Sequence, residues 1–262
     1  MDFGLEGKVC VVTGASRGIG RAAAQRLAAE GASVLLVARG EEELRAAAAQ
    51  CGPQADYIAC DVTDPDADER IVATCAEQMG GIDVLVNNAG TSWARSLEEL
   101  TDEEWLAMYE LHVMAPMRLM RAAAPRMAVR GGGRIVNVCS SAGKRPSLNN
   151  PAYSVTKAAQ LSLSRTFADA YAAQAVLVNA VAPGATTSEL WMAPGGIADQ
   201  TAAARGITRD EALAAQAAKV PLGRLAEPGE VADVIVFLCS ARASTVTGAA
   251  WSADGGAVAI IV

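Results

Sequence analysis

Short apolar runs alternate with longer stretches of helical character along most of the chain. The runs are rich in β-branched residues, are too short for helices, and lie at positions 8–13, 32–38, 56–60, 83–87, 134–139, 175–181 and 248–252. Such runs predict buried strands. Helices are predicted between them, at 21–30, 41–50, 66–79, 101–130, 151–173, 209–219 and 228–239. This alternation predicts an α/β protein with a doubly wound parallel sheet of about seven strands and helices on both faces.

Local signals set several of these boundaries. Thr101, followed three residues later by Glu104, is typical of a capping box at the start of a helix. Pro151 suits the first turn of a helix, where its missing N–H costs little. Three glycines at 131–133 end the helix that precedes the fifth strand. No linker, repeat or low-complexity segment interrupts the pattern, so residues 1–262 are predicted to form one domain.

Composition narrows the class of protein. Apolar residues make up 52% of the chain and charged residues 19%, which is enough to build a substantial core. The net charge of −7 argues against a nucleic-acid partner, which needs a basic face. No signal-peptide pattern and no apolar run of the roughly 18 residues that span a bilayer are visible. The cysteines form no CxxC pair and there is a single histidine, so we expect reduced thiols, no metal, no membrane and a cytoplasmic location.

Candidate chemistry is concentrated after the fifth predicted strand. Tyr153 and Lys157 are four residues apart, a spacing that puts both side chains on one face of a helix. A nearby ammonium favours the phenolate and lowers a tyrosine pKa from about 10, which makes the pair a candidate proton donor and acceptor. Ser140 follows the strand directly, at the edge where ligands bind in open α/β sheets. The alternative is a surface helix with an ordinary tyrosine and lysine.

A glycine-rich turn links the first strand to the first helix. Gly14, Gly18 and Gly20 let the backbone approach a pyrophosphate at the helix N-terminus, although their spacing is not GxGxxG. A carboxylate at the end of the second strand suits NAD(H), whereas an arginine suits the 2′-phosphate of NADP(H). Arg39 stands there and Arg17 lies in the loop, so NADP(H) is preferred over NAD(H). Either arginine can instead be an ordinary solvated side chain.

Together these residues resemble the short-chain dehydrogenase/reductase family, in its single-domain branch of 3-oxoacyl-carrier-protein-reductase-like enzymes. The similar segments are TGASRGIG at 13–20, DV at 61–62, NNAG at 87–90, the set Ser140, Tyr153 and Lys157, NAVAPG at 179–184, PLGRL at 221–225 and DGG at 254–256. They cover almost the whole chain and imply a Rossmann-type fold. The resemblance also implies a cofactor site made, besides Tyr153 and Lys157, of Gly14, Ser16, Arg17, Gly18, Ile19, Gly20, Arg39, Asp61, Val62, Asn88, Ala89, Gly90, Pro183, Gly184 and Ser188.

The resemblance assigns roles to the catalytic set. Ser140 is expected to hydrogen-bond the substrate oxygen. Tyr153 is expected to give a proton to a carbonyl oxygen, or to take one from an alcohol, and Lys157 to hold the nicotinamide ribose and lower the Tyr153 pKa. The implied activity is NADP(H)-dependent interconversion of a ketone and a secondary alcohol. The alternative is a catalytically idle NADP(H)-binding sensor or scaffold; a sugar-nucleotide epimerase fits poorly, because those relatives are longer and space their glycines differently.

Two positions depart from the family pattern. His112 stands where relatives usually have an asparagine that helps to hold a relay water behind the lysine. As a candidate catalytic residue it can hold a water and titrate near pH 6.5; alternatively it is a packed polar residue. Ser188 replaces a threonine whose hydroxyl reaches the cofactor carboxamide, and the serine keeps that hydroxyl.

The sequence defines the substrate less well. Residues 188–220 correspond to the substrate lid of the family, and only residues 209–219 within them are predicted to be helical. Leu190, Trp191 and Met192 are apolar residues in this lid. They favour a hydrophobic ketone, or else they pack against a second subunit.

Two kinds of protein partner follow from the resemblance. A 3-oxoacyl thioester on an acyl-carrier protein is one substrate option, for which Arg126, Arg130 and Arg134 are candidates for a basic patch beside the cleft. Relatives form dimers or tetramers through the two long helices and the last strand. We therefore expect a homotetramer or homodimer, with the apolar tail at 257–262 buried at a subunit contact.

Overall fold

Seven parallel strands form the sheet that the apolar runs predict. The computed structural model describes residues 2–259. In chain order the strands are β1 (Val9–Thr13), β2 (Ser33–Ala38), β3 (Ala55–Ala59), β4 (Val84–Asn87), β5 (Gly133–Val138), β6 (Val176–Pro183) and β7 (Ala250–Ala253). Their order across the sheet is β3-β2-β1-β4-β5-β6-β7. The strand order reverses between β1 and β4, and in open α/β sheets ligands bind outside the carboxyl ends of the strands at such a reversal.

Helices cover both faces of this sheet. In chain order they are α1 (Gly18–Ala29), α2 (Glu41–Cys51), α3 (Ala67–Met79), α4 (Asp102–Tyr109), α5 (Ala115–Val129), α6 (Ser141–Lys144), α7 (Pro151–Tyr171), α8 (Glu189–Met192), α9 (Ile197–Arg205), α10 (Arg209–Ala217) and α11 (Pro228–Cys239). Helices α1, α2 and α11 pack on one face, and α3, α5 and α7 on the other. The doubly wound α/β architecture is therefore confirmed.

The core consists of two apolar layers, one on each face of the sheet. Successive residues of β1 contribute to opposite layers: Cys10 and Val12 pack with α1 and α11, whereas Val9 and Val11 pack with α3 and α5. This follows from the two-residue period of a strand. Because both faces are covered, the strands are apolar runs rather than alternating ones.

The predicted strands agree with the observed ones within one or two residues at each end. The capping box is also confirmed, since the Glu104 N–H donates to Thr101 Oγ1 at 3.3 Å and the Thr101 N–H donates to Glu104 Oε2 at 3.1 Å. Helix α1 begins at Gly18, three residues before the predicted start, because the last glycines of the loop already form its first turn.

The helix predicted over 101–130 is confirmed as a continuous helical segment, but it is not α-helical throughout. Helix α4 ends at Tyr109, and a π-helical turn over Glu110–Met114 separates it from α5. Pro116, in the first turn of α5, lacks the N–H that would bond to the carbonyl of His112 one α-turn earlier. This missing bond accounts for a wider turn at that point.

The lid contains three helices rather than the one predicted at 209–219. Helix α9 was missed because its buried residues are two alanines, Ala198 and Ala202, which give a weak apolar pattern. None of the helices in the described part of the chain has the length and hydropathy to cross a membrane. The predicted burial of the tail stays a prediction, because residues 260–262 lie outside the described residues.

Candidate active site

A cleft of about 1050 Å³ runs along the carboxyl ends of the strands. It brings together Ser140, Tyr153 and Lys157 with nearly all of the expected cofactor residues. Those that line it are Gly14, Ser16, Arg17, Gly18, Ile19, Arg39, Asp61, Val62, Asn88, Ala89, Gly90, Pro183, Gly184 and Ser188. Gly20 and His112 are the two predicted residues that lie behind the wall of the cleft.

Gly20 is required by packing. A Cβ on Gly20 would stand 2.3 Å from the Gly14 carbonyl oxygen, so α1 can approach the loop only with a glycine there. Gly14 itself has a φ of +64°, and a Cβ on it would lie 2.9 Å from Asn88 Nδ2. Both glycines thus let the loop close against the end of β4.

Hydrogen bonds join the glycine loop to the segment after β4. Thr13 Oγ1 accepts from the N–H groups of Asn88 and Ala89, both at 3.0 Å, and donates to the Val86 carbonyl at 3.4 Å. The Asn88 amide donates to the carbonyls of Thr13 and Gly14 at 2.9 and 3.1 Å. These bonds cross the point where the strand order reverses.

The N-terminus of α1 is suited to an anion. The N-cap residue Arg17 makes no capping side-chain bond, and none of the described first-turn residues is acidic. Free N–H groups and the positive end of the helix dipole therefore face the cleft. Glu189, the first residue of α8, lies close to this helix N-terminus. Its carboxylate is 3.3 Å from the Arg21 guanidinium, and a Cβ placed on Gly18 would be 3.4 Å from the carboxylate. Sequence reasoning missed this contact, because it joins residues 168 positions apart.

The other end of the cleft carries the cationic side chain that the sequence singled out. Arg39 follows β2 and is 77% exposed at its side chain, with its guanidinium 3.8 Å from an Asp61 carboxylate oxygen. Asp61 is held in turn by the Thr63 N–H at 3.0 Å and the Thr63 hydroxyl at 2.7 Å. An ion pair as open as this leaves Arg39 able to turn toward a phosphate.

Ser140 directly follows β5 and caps α6. Its Oγ accepts the Ala142 N–H at 3.1 Å, so its own hydroxyl proton remains to be donated into the cleft. Gly143 lets α6 lie against α7, since a Cβ there would stand 2.8 Å from the Lys157 backbone. Turn and helix thus bring Ser140 beside Tyr153.

Tyr153 is held in a largely dehydrated position with part of its side chain open to the cleft. Desolvation raises the pKa of Tyr153 to about 12, against a hydrogen bond from Ser140 that lowers it. Desolvation is the largest effect on the phenol, and the Lys157 ammonium lies 5.7 Å from the centre of the Tyr153 ring. That Lys157 lowers the pKa of Tyr153 in the reaction stays a prediction.

Lys157 is buried, with 3% of its surface exposed. Its ammonium donates to the Val138 carbonyl and to Gln160 Oε1, each at 2.9 Å. Burial lowers the pKa of Lys157 to about 8, with the nearby Cys139 thiol acting in the other direction.

His112 lies in the π-helical turn and is fully buried. Its Nε2 accepts the Thr91 N–H at 3.3 Å, so the proton of the neutral ring is on Nδ1, which donates to Thr156 Oγ1 at 3.1 Å. Burial, followed by the charge of Lys157, holds the pKa of His112 well below its ordinary value. The expectation that it titrates near pH 6.5 is therefore wrong, because the buried ring stays neutral.

The lid forms the outer wall of the cleft. Leu190 and Trp191 line it, whereas Met192 does not; its carbonyl accepts a bond from Arg209. Gln200 ties α9 to the loop after β4 by accepting the Ala94 N–H at 2.8 Å.

Polar residues also line the substrate end. The sequence did not single out these residues, which lie after β4, between α6 and α7, or in the lid; they include Ser92, Asn149, Asn150, Thr201, Arg205, Gln216 and Lys219. In the sequence, only Ser92 among these residues could have been recognised as a site candidate, because it lies shortly after a predicted strand.

The basic patch expected beside the cleft lies elsewhere. Arg126 and Arg130 are at the end of α5, and Arg134 is at the start of β5, so all three are at the amino edge of the sheet. Arg130 pairs there with Asp83 at 3.5 Å, and Arg134 donates to the Ser240 carbonyl at 3.4 Å. These three arginines lie at the opposite edge of the sheet from the site. A helix that leads into a parallel strand ends where that strand begins, and the site is at the carboxyl ends of the strands.

Residues 8–195 match the sequence model of the short chain dehydrogenase family. The chain is 35% identical to a 3-oxoacyl-(acyl-carrier-protein) reductase, FabG, of Vibrio cholerae, over 96% of this chain and 98% of that protein. It is 38% identical to cis-4-hydroxycyclohexanecarboxylate dehydrogenase of Sinomonas cyclohexanicum, over 97% of each. Among solved structures, L-sorbose reductase of Gluconobacter frateurii, complexed with NADPH and L-sorbose, is similar with a TM-score of 0.93 and 38% identity over 100% of both chains.

Proposed function

Because the chain belongs to the short-chain dehydrogenase/reductase family, whose members oxidise alcohols or reduce carbonyls, we propose that it interconverts a ketone and a secondary alcohol with NADP(H) and uses Tyr153 as acid and base. The observation that carries the proposal is one cleft lined by Ser140, Tyr153 and Lys157 at one end and by the glycine loop at the other.

The residues present fit NADP(H). The first turn of α1 offers free N–H groups to the pyrophosphate, and Arg39 and Arg17 suit the 2′-phosphate. Lys157 keeps one ammonium proton for the nicotinamide ribose after its two inward bonds. When bound, the nicotinamide supplies or accepts the hydride. A neighbouring structure solved with NADPH supports this choice of cofactor.

The protein moves the proton. In reduction, the Tyr153 hydroxyl donates its proton to the carbonyl oxygen as that oxygen becomes negative, and Ser140 donates a hydrogen bond to the same oxygen. In oxidation, Tyr153 takes the proton back from the alcohol. The raised pKa of Tyr153 keeps the phenol protonated but makes it a weak acid, and in the proposed reaction the Lys157 charge opposes that rise.

For the substrate we propose a ketone whose carbon skeleton packs against Leu190 and Trp191. A 3-oxoacyl thioester fits this description, and the similar FabG reductase is named for such a substrate. A polyhydroxylated ketone is the second candidate. It is favoured by the polar lining of Ser92, Asn149 and Asn150 and by the likeness to L-sorbose reductase.

We also propose a homodimer or homotetramer. Apolar side chains stand exposed on the helices and the edge strand expected to form the contacts: Leu106 is 68% exposed and Tyr109 45% on α4, Val155 53% on α7, and Trp251 38% on β7. Patches of this kind mark interfaces more often than free surface.

An acyl-carrier protein is the further partner that we propose for the thioester substrate. Its basic contacts would come from Arg205 and Lys219 at the cleft rather than from the arginines of α5.

The experiment is a spectrophotometric screen of NADPH oxidation and NADP reduction over ketoses, cyclic ketones, 3-oxoacyl thioesters and secondary alcohols. The same screen with NADH, and with an Arg39→Ala variant, tests the cofactor preference; we expect the variant to lose about tenfold in kcat/KM for NADPH and little for NADH. Tyr153→Phe should lower kcat by about 10³-fold. Undiminished activity of Tyr153→Phe would rule out the proposed proton donor.

A further inference from the structure

The buried end of Lys157 is held by a side chain that the proposed reaction has not yet used. Gln160 follows Lys157 by three residues on α7 and is 2% exposed. Its Oε1 accepts a proton of the Lys157 ammonium at 2.9 Å, beside the Val138 carbonyl at the same distance. An ammonium has three donors, so these two bonds leave one donor for the cleft.

The ammonium has no carboxylate partner among the described residues. The groups that face it are the Cys139 thiol at the end of β5, the Tyr153 phenol on α7 and the His112 ring in the π-helical turn. All three are neutral in their ordinary states at pH 7. A buried ammonium without a counter-ion is costly, and oxygen acceptors with fixed dipoles are what keep it charged.

We infer that Gln160 is a positioning residue for the proposed reaction: its side-chain carbonyl fixes the direction of the Lys157 ammonium and keeps it charged beside Tyr153. This inference rests on the proposed function, because it assumes that Lys157 acts on Tyr153 and on the cofactor ribose. The inference adds Gln160 to the residues that serve the proposed reaction, although Gln160 itself touches neither substrate nor cofactor.

The geometry explains why the residue is an amide. An aliphatic side chain of the same size would leave the ammonium with the Val138 carbonyl as its one inward acceptor, and burial would then favour neutral lysine. A carboxylate would hold the ammonium but would cancel its field at the phenol. Glutamine accepts the bond and adds no charge.

Gln160 is itself held in place by a series of buried hydrogen bonds. Its backbone carbonyl accepts the Ser164 hydroxyl at 2.7 Å, and Ser164 accepts the Asn137 amide at 2.8 Å. Asn137 accepts in turn the Asn87 amide at 2.8 Å. This buried series of polar groups ties α7 to β4 and β5, so the position of Gln160 is set by the sheet.

The test is the pH profile of kcat/KM for alcohol oxidation, together with KM for NADP, in wild type, Gln160→Leu and Gln160→Glu. In Gln160→Leu we expect Lys157 to become neutral, so that the phenol no longer has a positive charge beside it. The rising limb of the pH profile, which reports the deprotonation of Tyr153, should then move to higher pH by about one unit, and KM for NADP should rise about fivefold. In Gln160→Glu the lysine stays in place, so the limb should move up while KM stays within about twofold of wild type.

Asn179→Leu is the matched control, because it removes a buried amide that bonds the Val246 carbonyl at 2.8 Å and the Ala249 N–H at 3.1 Å and touches neither Lys157 nor Gln160. It should lower the melting temperature and leave the limb where it is. A Gln160→Leu enzyme with an unmoved limb and unchanged KM would overturn the inference. If Gln160→Leu does not fold, Gln160→Glu decides alone: an unmoved limb in that variant overturns the inference, and a raised limb with unchanged KM supports it.

Lys157→Met and Tyr153→Phe separate this inference from the proposed function. If both abolish turnover while the Gln160 variants behave as wild type, the inference about Gln160 fails and the proposed function stands. If either retains wild-type turnover, the proposed function fails whatever Gln160 does.

Discussion

The two walls of the cleft are held in different ways. On the wall formed by residues 138–160, here called the catalytic wall, the ammonium of Lys157 is buried and bonded to two oxygen acceptors. On the lid, residues 188–220, the charged contacts are ion pairs at the surface: Arg21 with Glu189 and Arg209 with Asp199, each at 3.3 Å and about a third exposed.

This difference decides which changes are costly. A polar group that loses its partner inside the protein keeps its full desolvation penalty, about 1–3 kcal/mol and more for a charge. An exposed ion pair contributes about 0–1 kcal/mol. We therefore expect the catalytic wall to be intolerant of single substitutions and the lid to be adjustable.

The largest effect in this comparison is expected for Ser140 of the catalytic wall and not for its neighbour Ser141. Ser140→Ala removes a donor aimed at the substrate oxygen and should lower kcat by about 10²- to 10³-fold. Ser141→Ala is the matched control, since it removes the same kind of hydroxyl from the next residue. We expect it to keep kcat within about threefold of wild type. Steady-state kinetics measures both. Equal losses in the two variants would remove the special role of Ser140.

The second prediction concerns the pH dependence of stability. The pKa of Lys157 is lowered from 10.5 to about 8 in the folded protein, so between these pH values the unfolded chain binds more protons. Stability from this group is therefore lacking below pH 8 and is gained as the pH rises to 10.5, by roughly 3 kcal/mol at most.

Lys157→Met isolates most of this contribution, because the buried thiols of Cys10, Cys75 and Cys239 do not interact with Lys157 and titrate alike in both proteins. Denaturant unfolding at pH 7.5, 9 and 10.5 should show wild type gaining on the variant by up to about 3 kcal/mol. A difference that stays constant with pH would mean that the ammonium is solvated.

The third prediction asks whether His112 acts by structure or by proton transfer. His112→Ala leaves the Thr91 N–H and the Thr156 hydroxyl without their ring partner and should lower the free energy of unfolding by about 2–4 kcal/mol. His112→Asn can bond one of the two and should recover part of that loss. If both variants keep turnover and the pH profile of wild type, His112 has no part in a relay.

The smallest effect is expected in the lid. Glu189→Gln removes a negative charge from the N-terminus of α1 and should tighten NADP(H) binding about two- to fivefold, measured by NADPH fluorescence at low salt. Asp233→Asn is the matched control, because it breaks the ion pair of Arg26 on the same helix at 3.0 Å, away from the cleft. Equal changes in the two variants would mean a general charge effect.

The sequence predicted the catalytic wall well and the lid poorly, for a physical reason. The strands are buried on both sheet faces, so their composition is apolar and easily recognised, and Ser140 is placed by the end of one of them. Helix α9 buries only small residues, which leaves no clear period. The π-helical turn follows from one missing N–H at Pro116, a backbone effect that side-chain periodicity does not carry.

The pKa directions could not be predicted from spacing. Two residues at positions 153 and 157 share a helix face whether or not they are buried, and the sign of each shift depends on burial. Gln160 was overlooked for the same reason, since an amide three residues after a lysine is common on solvated helices. Contact between Glu189 and the glycine loop depends on how the lid folds back over the sheet.

The hydroxyl of Thr13 has a consequence for how the cleft opens. It joins the end of β1 to Val86 of β4 by one hydrogen bond and to Asn88 and Ala89 after β4 by two, and the Asn88 amide adds two more to the carbonyls of Thr13 and Gly14. The parts of the cleft floor that follow β1 and β4 are thus tied to each other by direct hydrogen bonds. The lid is held instead by exposed ion pairs, so it is the part of the cleft that can be displaced at the lower cost.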